Sequence, residues 1–198
     1  MSRKLREIVM LLDLPELIKK YNIQIKNIYH IGAHYGEEYD IFKTCGANKI
    51  MMFEPLKQNF DILLEKFSQY DDVILINSAL GHRNDKVIMN VETNNNMQSS
   101  SILNPKIHLL QHPNIIFDKK QEVVQDILDN FSENEYNFIS IDVQGYELRV
   151  FEGGTNTLNH IDAILSEVNN DEVYENCAKV EQLDKFLSFY GFKRVETN

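Results

Sequence analysis

The sequence predicts an α/β domain built on a doubly wound, mostly parallel sheet with helices on both faces. Three observations predict it. Short apolar runs of strand length alternate with helical stripes along the chain. The first run, Asn27–Ile31, breaks into the turn Gly32-Ala33-His34-Tyr35-Gly36, whose two glycines permit a sharp bend and the close approach of a ligand. The second run, Lys49–Phe53, ends in an acid, Glu54, 22 positions after Gly32. An acid at the tip of the second strand of a βαβ unit is placed to accept both hydroxyls of a ribose.

The elements follow in order. Leu5, Ile8, Val9 and Leu12 recur at helical spacing, so an amphipathic helix opens the chain; Leu14-Pro15 breaks it, and a further turn or two covers residues 16–21. The helix after Gly36 carries Tyr39, Phe42 and Cys45 on one face and ends at Gly46. Leu56, Phe60, Leu63, Leu64 and Phe67 trace the strongest helical stripe in the chain. Residues 73–77, nearly all apolar, read as a strand buried on both faces, and residues 86–91 alternate weakly as an accessory strand. The polar residues 94–101 form a loop that is expected to be mobile, and His108, His112 and Pro113 follow in a second loop. Val124, Ile127, Leu128 and Phe131 are spaced as a short helix. A strand over 138–142, a helix from about Tyr146 and a strand over 163–168 come next. Val180, Leu183, Phe186, Leu187 and Tyr190 make the last helix, closed by Gly191, and residues 192–196 a sixth strand.

A chain of 198 residues with 43% apolar content fits one globular domain with a real core. Its formal net charge of −10 disfavours nonspecific binding to nucleic acid or to an anionic membrane, both of which need a cationic footprint. Cys45 and Cys177 form no spacing motif and sit in helical patterns, so they read as reduced thiols in a cytoplasmic protein. The basic start Ser2-Arg3-Lys4-Leu5-Arg6 is no secretory signal, because Glu7 and Asp13 interrupt the apolar stretch and no small-residue cleavage site follows. No window reaches the apolar length of a membrane span.

The turn and Glu54 together indicate a nucleotide-type cofactor. A dinucleotide fingerprint starting at Gly32 places glycines at positions 34 and 37, where this chain has His34 and Glu37. Glu37 would also repel a pyrophosphate at the first helical turn. S-adenosylmethionine (SAM) has no phosphate and a positive sulfonium, and it tolerates acids there. A third stretch then bears on the choice. Phe138-Ile139-Ser140-Ile141-Asp142-Val143-Gln144-Gly145-Tyr146-Glu147-Leu148, continuing through Val150-Phe151-Glu152-Gly153-Gly154, resembles the signature of the FkbM-type SAM-dependent methyltransferases. Ile31-Gly32-Ala33-His34, Phe53-Glu54-Pro55, Ser78-Ala79-Leu80-Gly81 and Ser99-Ser100-Ser101-Ile102 match that family in the same order, and the resemblance covers about residues 25–196.

The resemblance implies a Rossmann-like class I methyltransferase fold, with residues 1–24 a helical cap near the cofactor and 25–198 the core. It also implies SAM as cofactor and O-methylation of a small-molecule hydroxyl, such as that of a sugar. The family's sheet continues into a final antiparallel strand, which this chain is expected to lack. Two other classes stay open: a non-catalytic SAM-binding protein on the same fold, and an NAD or nucleotide-sugar enzyme on the same sheet.

Methyl transfer to a hydroxyl needs the acceptor aligned and its proton removed. Glu54 is expected to hold the ribose, with Gly32, Ala33 and Gly36 shaping the turn and Pro55 beside it. Ser78, Ala79 and Leu80 would hold the adenine, with Ser78 as the polar contact. His30 either bonds the cofactor's amino-acid end or is a satisfied, half-buried histidine. Ser100, with Ser99 and Ser101, is a candidate hydroxyl contact. Asp142, with Val143 beside it, faces the methionyl end as ammonium contact or base, the competing reading being a helix cap. Glu167 and His34 are the other candidate bases, with His112 a further one, and Glu147 lies close enough to line the same mouth. Asp142 and Glu167 with Asn169 or Asn170 offer oxygens to a divalent ion, but no spacing requires one and no metal is assigned.

Overall fold

The computed structural model describes residues 13–197. In chain order its strands are β1 (Asn27–Ile31), β2 (Lys49–Phe53), β3 (Val73–Ile76), β4 (Ala79–Leu80), β5 (Asp85–Val91), β6 (Lys119–Asp126), β7 (Phe138–Ile141) and β8 (Ala163–Ser166). The helices are α1 (Leu14–Tyr21), α2 (Tyr39–Thr44), α3 (Lys57–Phe67), α4 (His108–Gln111), α5 (Glu147–Glu152) and α6 (Val180–Ser188). The opening helix expected at Leu5–Leu12 lies outside the described residues.

Five strands form one all-parallel sheet in the order β3-β2-β1-β7-β8. The chain starts at the centre, runs outward through β2 and β3, and returns to the other side of β1 as β7. The order therefore reverses between β1 and β7, and a crevice opens at their carboxyl ends. Every residue of β1 is buried, as a central strand covered on both faces requires. Alternation sorts its side chains: Ile28 packs with Leu14, Phe42, Leu63 and Phe67 under α1–α3, whereas Tyr29 and Ile31 pack with Val150, Phe151 and Leu183 under α5 and α6. A second sheet, β4-β6-β5, pairs β6 parallel to β4 and antiparallel to β5, and has its own small core of Leu56, Ala79, Met89, Val91 and Val123.

Local chemistry sets the helix ends. Asp13 caps α1 by accepting from the Glu16 N–H at 3.0 Å, and Pro15 sits in the first turn. Pro15 thus begins a helix where it was expected to break one. In α3, Leu63 and Phe67 are buried, but Leu64 lies at the margin of the stripe and is 39% exposed.

Four expectations need correction. Residues 73–76 make an edge strand with Ile74 38% exposed, not one covered on both faces; Asn77 leaves the strand, and its side chain donates to the Glu54 and Pro55 carbonyls. The apparent helix at Val124–Phe131 is the end of β6 followed by a single 3-10 turn, Leu128–Phe131. Residues 192–196 form no strand. They lie beside the end of α1, where Lys20 pairs with Glu196 at 2.7 Å and the Tyr21 hydroxyl reaches Glu196 and the Val195 carbonyl. Cys45 closes α2 and Cys177 lies buried ahead of α6, both as free thiols outside helices. Among the described residues no antiparallel strand joins the five-stranded sheet, and no helix is long and apolar enough to cross a membrane.

Candidate functional site

The glycine turn is tied between its neighbours. The Gly32 and Ala33 N–H groups donate to the Phe53 carbonyl at 3.0 and 2.9 Å, and the Asp142 N–H donates to the Ile31 carbonyl at 3.0 Å. Gly32 has φ +82°, and a Cβ there would fall 1.9 Å from the Asp142 carbonyl oxygen. Gly36 has φ +69°, and a Cβ would fall 2.5 Å from the Phe67 ring. No other residue type fits either position.

Above the turn lies a cleft of about 1260 Å³ at the carboxyl ends of β1, β2 and β7. Glu54 stands in its wall, 5% exposed. Its Oε2 accepts the His34 N–H at 3.0 Å and its Oε1 the Leu56 N–H at 2.8 Å, so both oxygens are oriented by backbone. Buried Asn59 also lines the cleft and keeps its own Oδ1 unpartnered. Burial pushes the Glu54 carboxyl up to about 7 against the pull of these donors.

Two histidines face the cleft in opposite states. His30 is buried against the edge of Phe42, with Nδ1 unpartnered and Nε2 3.4 Å from Glu38. Burial lowers it to about 4, so it is neutral, and burial raises Glu38 to about 7, with the Glu37 and Asp142 charges adding to the rise. His34 places Nδ1 2.8 Å from Glu37 and Nε2 2.7 Å from the Asn96 carbonyl. Burial opposes its charge, but Glu37 and the Asn96 carbonyl outweigh that and hold it above its ordinary value. Both ring nitrogens face acceptors, so His34 is a doubly donating clasp on the loop over residues 94–101, with no free nitrogen to serve as a base in this state.

Acids cluster around Asp142, which lines the cleft, whereas Glu147 and Glu167 do not line it. One carboxylate oxygen from each of Asp142, Glu147 and Glu167 lies within 4.8 Å of the other two. Gln144, in left-handed backbone at φ 54°, donates Nε2 to Asp142 at 2.7 Å and to Glu167 at 2.9 Å. The Tyr174 hydroxyl lies 2.9 Å from both Gln144 Oε1 and the Ser99 carbonyl. Glu147 is fully buried, accepting the Val143 and Gly145 N–H groups on Oε1; burial raises it to about 7. Glu167 has an outer side open to solvent, yet partial burial in the cluster pushes its carboxyl well above the carboxylate range, and neighbouring Asp142 adds to the shift.

The remaining expected residues divide. Pro55, Ser78, Ala79, Leu80, Ser100 and Val143 line the cleft. The Ser78 hydroxyl is directed at the Ala79 and Val124 carbonyls, so only its acceptor lone pairs are free for a ligand. Ser100 Oγ accepts the Glu92 N–H, and Ser101 Oγ donates to the Gln144 carbonyl, tying the loop to the end of β7. His112 does not line the cleft and stacks near His108 instead. Glu147 joins Asp142 and Glu167 in the acidic cluster. Glu38, Asn59 and Tyr174 escape the sequence reading. Only Asn59 carries a signal, a polar residue three after Leu56 on the apolar stripe of α3.

Comparison with known proteins agrees with this architecture. Residues 30–194 match the family profile described as the methyltransferase FkbM domain. The 2-O-methyltransferase NoeI of Sinorhizobium fredii is 27% identical over 180 residues, which cover 86% of this chain and 70% of that protein. The crystal structure of methyltransferase FkbM from Methylobacillus flagellatus KT superposes with a TM-score of 0.56 at 14% identity, over 84% of this chain and 38% of that one. This chain thus spans well under half of that solved protein, and the likeness there is one of fold. The sheet is that of a class I methyltransferase, and the chain belongs to the FkbM methyltransferase family.

Proposed function

We propose that this chain binds SAM across the carboxyl ends of β1 and β2 and methylates a hydroxyl of a small molecule such as a sugar. The observation that carries the reading is the charge of the cleft. Glu37, Glu38, Glu54 and Asp142 line it, and among the described residues no Lys or Arg does. A pyrophosphate ligand such as NAD or a nucleotide sugar would meet like charge there, at a cost of several kcal/mol. A sulfonium and an ammonium meet opposite charge. The cleft also exceeds the roughly 300–1000 Å³ of a single small-ligand site, leaving room for an acceptor.

When bound, SAM supplies an electrophilic methyl carbon, and its transfer to an oxygen leaves a neutral thioether. Glu54 accepts the two ribose hydroxyls on oxygens already oriented by His34 and Leu56. Ala79 and Leu80 give an apolar bed for the adenine, with Ser78 accepting. Asp142 faces the methionyl end. Asp142, which lines the cleft, takes the acceptor's proton, and Glu167 beside it shares that proton through the cluster. The clasp from His34 and the bonds through Ser99 and Ser101 hold residues 94–101 over the site and limit water. Within the leading segment α1 packs Leu14 onto the core, and the free thiols suit a cytoplasmic setting. Oxygen as the receiving atom accords with NoeI being a 2-O-methyltransferase.

The test is transfer of labelled methyl from SAM to a panel of sugars, glycosides and simple polyols. The reading expects label on one acceptor oxygen and a large loss of turnover in Glu167→Gln. A protein that binds SAM but labels no acceptor would be a binding protein on this fold.

A further inference from the structure

The acidic cluster has a feature that methyl transfer alone leaves unexplained. Asp142, Glu147 and Glu167 converge within 4.8 Å, and among the described residues no ion pair reaches any of them. Glu147 is 0% exposed, and its Oε2 has no hydrogen-bond partner. Holding the loop ahead of α5 explains its Oε1, which accepts two backbone N–H groups, and leaves Oε2 without a role. A buried, unpartnered carboxylate oxygen beside two further carboxylates is a costly arrangement that a cation relieves.

We propose that Asp142, Glu147 and Glu167, with the Gln144 carboxamide oxygen, bind a hard divalent cation at the acceptor side of the cleft. The donors are all oxygens, the set that magnesium, manganese and calcium take. Gln144 shows where the ion sits: its amide nitrogen bridges Asp142 and Glu167, as a cation would. A turn of that amide about its last bond presents Oε1 to the same point and Nε2 to the Tyr174 hydroxyl. Tyr174 then accepts from Nε2 while donating to the Ser99 carbonyl, so no hydrogen bond is orphaned. Two of the three acids, Asp142 and Glu167, are exposed, and Asp142 lines the cleft, which leaves coordination positions for water or for acceptor oxygens. The binding site stands on its own; its use in orienting an acceptor rests on the proposed methyl-transfer reading.

The experiment is a titration of the full chain with Mn²⁺, followed by electron paramagnetic resonance and calorimetry without SAM. One saturable site per chain is expected, displaced by Mg²⁺ or Ca²⁺, with affinity at least tenfold weaker in Asp142→Asn and Glu167→Gln. Both altered side chains are exposed, and circular dichroism verifies that the variants fold; Glu181→Gln, on α6, should bind as the parent does. Absence of a saturable site at millimolar Mn²⁺, or unchanged affinity in both variants, overturns the proposal. So does full exclusion of Mn²⁺ by S-adenosylhomocysteine, which would assign the acids to the cofactor's ammonium. Binding of SAM measured on the same samples separates failure of the ion site from failure of the cofactor reading.

Discussion

Replacing Glu54 by Gln separates ligand binding from folding. The carboxyl stands at about 7 against a model-compound value of 4.5, so at pH 8 keeping it ionised in the folded protein costs about 3 kcal/mol. Glu54→Gln removes that cost. It also turns one oxygen into an NH₂ group facing either the His34 or the Leu56 N–H, a donor against a donor that costs about 1–3 kcal/mol. The two nearly cancel, so the melting temperature at pH 8 should move by only a few degrees. Binding does not cancel. The neutral amide loses one charge-assisted bond to a ribose hydroxyl and weakens the other, about 2–4 kcal/mol in all, or about 30- to 1000-fold in affinity. Calorimetry of SAM and S-adenosylhomocysteine, beside thermal unfolding, reads both numbers. Affinity within threefold of the parent would refute the ribose role, and a melting temperature lower by some tens of degrees would refute the stability argument.

Four further outcomes follow from the structure. The Glu54 carboxyl is raised above its unfolded value, so the folded protein holds the extra proton between about pH 4.5 and 7; unliganded stability should fall as pH rises through that window, and SAM affinity should rise through it by at most about tenfold per pH unit, as denaturant melts and calorimetry at several pH values will read. Gly32→Ala drives a methyl group into the Asp142 carbonyl at 1.9 Å and should abolish SAM binding and folding cooperativity. Gly191→Ala, at φ +85° with no atom within 4 Å of the new Cβ, should cost only about 1 kcal/mol. His34 is held above its ordinary value, so its clasp on Asn96 is complete below about pH 6.5 and is lost as pH rises through the raised value; hydrogen exchange in residues 94–101 should speed up across that range, and His34→Gln should be fast at every pH.

The sheet's centre was legible because its chemistry is local. β1 and β2 match their predicted bounds, since five-residue apolar runs stop at a glycine turn and at Glu54-Pro55. The misreadings arose where local pattern and tertiary partner disagree. Val124, Ile127, Leu128 and Phe131 have helical spacing, but β6 buries Val123 and Gln125 and turns Val124 outward at 50% exposure, so the apparent stripe runs across a strand end and a turn. Residues 192–196 have strand composition but no neighbour to pair with, and a strand exists only through its partner. In the site, Glu54 and the glycines were visible from spacing along one βαβ unit. The clasp of the His34 ring on the Asn96 carbonyl and the reach of Tyr174 to the Gln144 side chain join residues 62 and 30 positions apart. No periodicity or spacing encodes such contacts.

The most direct test of the cofactor assignment is a calorimetric titration of the parent protein at pH 8 with SAM, S-adenosylhomocysteine and NAD. Binding of one SAM and one S-adenosylhomocysteine per chain, with no heat from NAD, is the predicted result. Binding of NAD, or of neither sulfur ligand, would contradict the account, because the acid-lined cleft would then be serving a different ligand or none.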